Sequence, residues 1–113
     1  MLDALRPHAG SFVLPVATLA EISHFVERDL GQTAISALIR DIERGAYSLD
    51  CGLDDWERIQ ELVDRYADLP LGLSDAAVIA CAERLRAPVA TLDYRHFGAV
   101  AREGTIDILP LTA

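Results

Sequence analysis

The chain has 113 residues, of which 51% are hydrophobic and 25% are charged, and this composition predicts one folded globular domain. No apolar run reaches the ~18 residues needed to cross a bilayer and no signal-peptide pattern opens the chain, so cytoplasmic residence is expected. The formal net charge is −8 and all ten basic residues are arginine. This charge argues against passive nucleic-acid binding, because phosphate contacts need cations. It leaves open a metal-dependent nuclease, since bound metal ions would supply the positive charge.

The chain contains two cysteines, Cys51 and Cys81. Neither belongs to a CxxC pair or stands beside a histidine in a metal-binding spacing, so no zinc site is expected. One disulfide between them is an open alternative, but two buried thiols are the expectation for a cytosolic protein.

Strand-like and helix-like segments alternate along the chain. The apolar residues 11–16 predict a buried strand. Thr18 and Glu21 have the spacing of a capping box, so a helix is expected to begin there and to end near Gly31. Periodicity and turn residues predict the later elements in the same way. A helix over residues 32–44, a strand over 46–49 and a helix opened by Asp54 and Asp55 come first. A helix over 75–85 capped by Ser74, a strand over 88–92 ending at Asp93, a helical turn over 94–100 and a strand over 106–111 follow.

This alternation of strands and helices predicts an α/β fold with a parallel sheet covered on both faces. In such sheets, functional residues lie just beyond the carboxyl ends of the strands. Asp93 is expected at such a point, and Glu21 is expected at the same edge, in the first turn of the helix that follows the first strand.

Three acidic residues stand among apolar neighbours: Glu21, Asp75 and Asp93. A carboxylate is costly to bury unless it is paired, hydrogen-bonded or bound to metal. Each has an alternative explanation when taken alone. Glu21 could be the acid of its capping box, Asp75 could interact with the dipole of its helix, and Asp93 could cap the next turn. Taken as a set, they suggest a site for a divalent metal ion, because Mg²⁺ prefers oxygen ligands.

The sequence around these acids resembles three ordered acidic motifs of PIN domains. The matching segments are Leu-Ala-Glu21, Leu-Ser-Asp75-Ala-Ala and Ala-Thr91-Leu-Asp93-Tyr-Arg-His-Phe97. The stretch from Asp68 to Phe97 is most similar to VapC-type toxins of toxin–antitoxin pairs. The resemblance implies a single PIN-like domain over residues 1–113 with a three-layer αβα sandwich and a mostly parallel sheet.

The same resemblance implies a function. It implies a Mg²⁺- or Mn²⁺-dependent endoribonuclease that is the toxin of a type II toxin–antitoxin system. Its partners would be an RNA substrate, a cognate antitoxin protein and a second copy of the chain in a homodimer, with no membrane. The residue roles carried over by motif are metal binding and catalysis by Glu21, Asp75 and Asp93, and support or RNA contact by Ser74, Thr91, Arg95 and His96. A solvated surface turn is the alternative for Arg95 and His96.

Charge is unevenly distributed along the chain. Residues 83–102 carry four arginines against two acids, which makes this the stretch best able to meet a phosphate backbone. Residues 50–68 are acidic, which indicates a solvated face or a surface for a basic antitoxin segment. Within them, one helix face is predicted to carry Trp56, Ile59, Val63 and Tyr66, and the exposed side to carry Glu57, Glu61 and Asp64.

The resemblance has one departure, at the beginning of the chain. PIN domains begin with a strand that carries an Asp and continue with a helix, whereas residues 1–10 resemble the end of that helix. Asp3 lies in the wrong context to replace the missing Asp. One explanation is a misplaced start codon or a truncated chain, with a full nuclease as the real protein. The other is a genuine short form, which predicts weak catalysis and an exposed sheet edge open to pairing with another chain.

Two functions other than an active nuclease remain open. One is a catalytically inactive PIN-like module that acts by protein binding, through antitoxin titration or dimer formation. The other is a small receiver or flavodoxin-like domain, which would need an acidic cluster or a phosphate loop near the first strand. The sequence contains neither feature. For the inactive module, an in-frame upstream strand with Asp followed by Ser or Thr would argue against it.

Overall fold

The computed structural model describes residues 12–91 and 94–110, with the backbone alone at positions 91, 94–96, 109 and 110. The chain divides into two compact units, one ending at Cys51 and one beginning at Gly52. Each unit contains one pair of parallel strands.

In the first unit, two helices connect two parallel strands. Strand β1 (Phe12–Pro15) pairs with β2 (Tyr47–Asp50), with Phe12 opposite Tyr47 and Pro15 opposite Asp50. The Phe12 and Tyr47 rings meet edge to face, with their centroids 6.3 Å apart. Helices α1 (Leu19–Leu30) and α2 (Gln32–Glu43) lie between the strands in sequence. The helix and strand types predicted here are confirmed, with bounds that differ by one or two residues.

Glycine follows both of these helices, and a threonine precedes the first. Gly31 separates α1 from α2 with a φ of 85°, and Gly45 follows α2 with a φ of 80°. A side chain strains this backbone conformation, which explains why glycine occupies both positions. Thr18 is the N-cap of α1 as predicted, but the hydrogen bond of a capping box is absent. Thr18 also ends a short 3-10 turn (Val16–Thr18), and its Oγ1 donates to the Pro15 carbonyl at 2.9 Å.

The second unit packs three helices with a second parallel pair. Its helices are α3 (Trp56–Arg65), α4 (Leu73–Leu85) and α5 (Tyr94–Ala101). Strand β3 (Val89–Thr91) pairs with β4 (Ile108–Pro110), with Val89 opposite Ile108. The core of this unit is built mainly from the inner faces of α3 and α4 together with Val89, Phe97, Val100 and Ile106.

Helix α4 is the central helix of the second unit. Alanine, isoleucine and cysteine side chains are buried on several sides of it, which is the pattern of a helix surrounded by protein. Its start differs from the prediction: Gly72 is the N-cap, with an extended backbone, and the helix begins at Leu73. Ser74 therefore lies within the first turn and does not cap the helix.

Two predictions about burial are wrong. Of the face predicted for α3, Ile59 and Tyr66 are buried and Val63 packs partly buried against the core, but Trp56 is 56% exposed, and the fully buried Leu62 was not predicted. The cysteines are reduced thiols as predicted, but only Cys81 is buried and Cys51 is exposed.

The α/β class and the parallel pairing predicted from the alternation of elements are confirmed in both units. Among the described residues, no helix is long and apolar enough to cross a membrane.

Candidate functional site

Asp75 occupies the first turn of the buried helix α4. It is the third residue of that helix and is half-buried, whereas Ala76 and Ala77, which follow it, are fully buried. A carboxylate at this end of a helix interacts favourably with the partial positive charge of the helix N-terminus. The backbone that carries Asp75 is therefore fixed by the core, while the residue as a whole is only half-buried.

Two ion pairs fix the position of α4 against α3. Arg58 donates from Nε and Nη2 to the two carboxylate oxygens of Glu83, at 2.8 and 3.0 Å. Arg84 donates in the same way to the two oxygens of Asp55, at 3.0 and 3.1 Å. The first turn of α3 therefore lies beside the last turn of α4. Two bidentate contacts of this kind define the register of the two helices.

The two ion pairs between α3 and α4 change the pKa values of the groups that form them. The hydrogen bond from Arg58 lowers the pKa of Glu83, a second hydrogen bond with Thr105 acts in the same direction, and partial burial opposes both. The hydrogen bond with Glu83 raises the pKa of Arg58, against the effect of burial. Asp55 is only 7% exposed, so its charge depends on Arg84 for compensation.

Glu21 is exposed in the first turn of α1, where it is the third residue of the helix. It belongs to the first unit, whereas Asp75 belongs to the second. The prediction that both acids lie in first helical turns is confirmed.

The third predicted acid, Asp93, lies outside the described residues. Strand β3 ends at Thr91, opposite Pro110, and α5 begins at Tyr94. Arg95 and His96 are the second and third residues of α5, where only the backbone is described, and Ser74 is half-buried in the first turn of α4. The roles of these residues in metal or RNA binding stay predictions.

Within the part of the chain whose side chains are described, no three His, Cys, Asp or Glu residues stand together as a metal site. The chemistry of the predicted donor set nevertheless fits a hard cation. Glu21 is exposed and Asp75 is half-buried, and both carry carboxylate oxygens, the ligands that Mg²⁺ and Mn²⁺ prefer.

Comparison with known proteins shows the family of this chain. A family model described as PIN domain matches residues 2–103. The chain belongs to the PIN-domain family. It is also 34% identical over 100 residues to the ribonuclease VapC26 of Mycobacterium tuberculosis, an alignment that covers 87% of this chain and 74% of that protein. The family resemblance inferred from the three acidic motifs is therefore confirmed.

Two features of this PIN domain differ from the charge pattern read from the sequence. The basic stretch of residues 83–102 is less available than its composition indicates, because Arg84 is bound to Asp55. Asp55, interpreted as an acid placed for the helix dipole, is the buried half of that ion pair. The two ion pairs between α3 and α4 were not predicted from the sequence. The signal for them was an acid and an arginine near the start of α3 and another acid and arginine near the end of α4.

Proposed function

We propose that this PIN domain is a divalent-metal-dependent endoribonuclease, the toxin of a type II toxin–antitoxin system. The observation that carries the proposal is Asp75, a half-buried acid in the first turn of a core helix, within the Leu-Ser-Asp75-Ala-Ala motif of a PIN-family chain. The relative from Mycobacterium tuberculosis, named as a ribonuclease, supports the same activity.

The proposed chemistry assigns a role to each site residue. Glu21, Asp75 and Asp93 would hold Mg²⁺ or Mn²⁺, which when bound supplies positive charge and an activated water for phosphodiester hydrolysis. Ser74 and Thr91 would orient these carboxylates by hydrogen bonding. Arg95 and His96 would contact RNA phosphates, where a fixed cation stabilises the charge that develops during hydrolysis.

The proposed partners follow from the same family. They are an RNA substrate, a cognate antitoxin and a second copy of the chain, in the cytoplasm. The net charge of −8 makes the proposed enzyme dependent on metal ions and on a few arginines for phosphate binding, because the protein as a whole repels RNA.

The proposal predicts that Asp75→Asn and Asp93→Asn each lower RNA cleavage. The substitution keeps the size of the side chain but removes a negative ligand, so a loss of roughly 100-fold is expected, similar to the loss of one strong electrostatic contact at other active sites. The measurement is cleavage of a single-stranded RNA by the full chain with Mg²⁺ or Mn²⁺ and after addition of EDTA.

Asp64→Asn is the matched control, since Asp64 is exposed on the outer side of α3 and should keep wild-type cleavage. Circular dichroism of all variants establishes that they are folded. Equal cleavage by wild type and both site variants would reject the assignment. A folded wild-type chain that cleaves no RNA would instead favour the inactive module that acts by protein binding.

A further inference from the structure

The two ion pairs between α3 and α4 are reciprocal, because each helix supplies one acid and one arginine. Asp55 directly precedes α3 and binds Arg84, while Arg58 in the first turn of α3 binds Glu83. Glu83 and Arg84 lie in the last turn of α4. A displacement that brought Asp55 to Glu83, or Arg58 to Arg84, would place like charges together. The two pairs therefore favour one alignment of the helices and disfavour the neighbouring ones.

Both contacts are bidentate and partly removed from water. Nε and Nη2 of Arg84 lie 3.0 and 3.1 Å from the two oxygens of Asp55, and the same atoms of Arg58 lie 2.8 and 3.0 Å from those of Glu83. Asp55 is 7% exposed and the side chain of Glu83 is 17% exposed. A planar guanidinium that donates two parallel hydrogen bonds fixes the orientation of the carboxylate as well as its distance.

Apolar packing specifies the position of α4 along its axis less sharply. Six residues of α4 are buried, and four of them are alanines: Ala76, Ala77, Ala80 and Ala82. Helices align through the ridges and grooves that their side chains form, and alanines form low ridges. Burial of apolar surface is also non-directional, so a small axial shift changes the buried area little. The ion pairs therefore define the register of α4, which is the best-attested role of charged groups buried between helices.

Asp75 lies at the opposite end of the same helix. At roughly 1.5 Å per residue, it is about 12 Å from Glu83 along the helix axis. The 13 residues of α4 include no glycine or proline at which the helix could bend. An axial displacement at the ion pairs therefore displaces Asp75 by the same amount, and a shift of about 1 Å is enough to slow a reaction that depends on geometry.

We propose that the ion pairs Asp55–Arg84 and Arg58–Glu83 position the nuclease site. They hold α4 at one axial position on α3 and so set the position of Asp75 within the second unit. This inference rests on the proposed function, and the four residues act through α4 as positioning residues. Apolar residues of similar shape often preserve the stability that a buried ion pair gives, but they do not preserve the alignment that it imposes.

The first experiment replaces one ion pair by apolar residues, in the double variant Asp55→Leu/Arg84→Met. Leucine has the shape of aspartate, methionine follows the stem of arginine, and the net charge stays at −8. The urea midpoint is expected to equal or exceed that of wild type. In RNA cleavage, kcat is expected to fall roughly tenfold while KM changes less than about twofold. Wild-type kcat in the folded double variant would overturn the proposal.

Arg28 and Asp29 provide the matched control. They form a bidentate pair on α1, in the other unit, with contacts of 2.8 and 3.2 Å and with more than half of each side chain exposed. Arg28→Met/Asp29→Leu makes the same two chemical changes away from α4 and is expected to keep wild-type kcat. An equal fall of kcat in both double variants would mean that the lost charges, and not the alignment of α4, slow the reaction, and would reject the proposal.

A single variant decides the matter if the double variant does not fold. Arg84→Lys keeps the positive charge but cannot make the bidentate contact with Asp55. A fall of kcat by about threefold or more, with a urea midpoint close to that of wild type, is the expected result. Wild-type kcat in Arg84→Lys would then count against positioning by this pair.

A third measurement follows α4 without catalysis. Cys81 is buried in α4, between Asp75 and the ion pairs, whereas Cys51 is exposed. In a Cys51→Ser background, the rate at which an aromatic disulfide reagent labels Cys81 therefore reports how often α4 opens. Labelling is expected to accelerate about fivefold or more when the pair between α3 and α4 is replaced, and to stay at the wild-type rate in the control variant. Equal rates in all three proteins would mean that packing alone holds α4.

The two proposals fail in different ways. If Asp75→Asn and wild type cleave RNA equally, or neither cleaves, the proposed function fails and the part of this inference that concerns kcat fails with it. The labelling rate of Cys81 still decides whether the ion pairs hold α4 in place, because that measurement needs no catalysis.

Discussion

At the scale of single residues, Glu83 shows how one carboxylate joins two helices. It lies in α4 and accepts two hydrogen bonds from Arg58 of α3. Only 17% of its side chain is exposed, so its contacts are less screened than those of an ion pair on the open surface. The lowered pKa of Glu83 is the electrostatic consequence of these contacts.

Glu83→Gln is expected to lower the free energy of unfolding by about 1 kcal/mol at pH 7, the upper end for a partly exposed ion pair. Because the folded pKa of Glu83 lies below its unfolded pKa, its contribution is complete above the unfolded value. That contribution is lost as pH falls through the folded pKa. Urea unfolding at pH 7 and at progressively lower pH should show the difference between variant and wild type shrinking as Glu83 becomes protonated.

Glu43→Gln provides the comparison, because Glu43 is exposed at the end of α2 and should change stability little at any pH. A Glu83→Gln deficit that stays constant down to the lowest pH at which the protein folds would show that packing, and not charge, is what the substitution disturbs.

At the scale of elements, α4 contributes the largest share of buried residues to the core of the second unit. Ile79 is completely buried, while Leu85, at the end of the same helix, is 44% exposed. Ile79→Ala is expected to lower the free energy of unfolding by about 3 kcal/mol, because it removes buried methyl groups and leaves a cavity. Leu85→Ala should cost under about 1 kcal/mol, since much of that side chain already contacts water. Denaturant unfolding of both variants measures the difference, and equal losses would contradict the central position of α4.

The helices and strands could be predicted from the sequence because apolar periodicity and glycine are local signals. Gly31 and Gly45 marked helix ends, and both adopt the positive φ that explains their use there. Helix caps were less predictable. α1 begins directly after Thr18 as predicted, but the Thr18 hydroxyl bonds to Pro15, and Gly72 instead of Ser74 occupies the cap position of α4. Whether a Ser or Thr caps a helix depends on its backbone conformation, which residue type alone does not determine.

The positions of two predicted site residues along their helices were predictable for a related reason. Glu21 and Asp75 were placed correctly in first helical turns because motif and helix start lie close in sequence. The partners of Arg84 and Glu83 were not predictable, because their contacts join residues 29 and 25 positions apart. Such pairs depend on how two helices pack, which the spacing of charges along one helix does not specify.

At the scale of the whole molecule, the strongly acidic charge makes every cation a potential stabiliser. A chain with net charge −8 repels itself, and added salt reduces that repulsion whether or not a metal site exists. A test of metal binding must therefore separate specific binding at the proposed carboxylates from general screening.

The last prediction concerns the thermal stability of the full chain with Mn²⁺. If the native state binds Mn²⁺ through Asp75, a concentration about tenfold above Kd should stabilise it by about 1.4 kcal/mol, which corresponds to a rise of roughly 4–8 °C in Tm. The measurement is a melting curve with Mn²⁺ and another with Na⁺ at the same ionic strength. Asp75→Asn should lose the additional rise with Mn²⁺, whereas Asp64→Asn should keep it. An equal rise in both variants would mean that Mn²⁺ acts through the overall acidic charge, because both substitutions remove one negative charge and only one removes a proposed ligand.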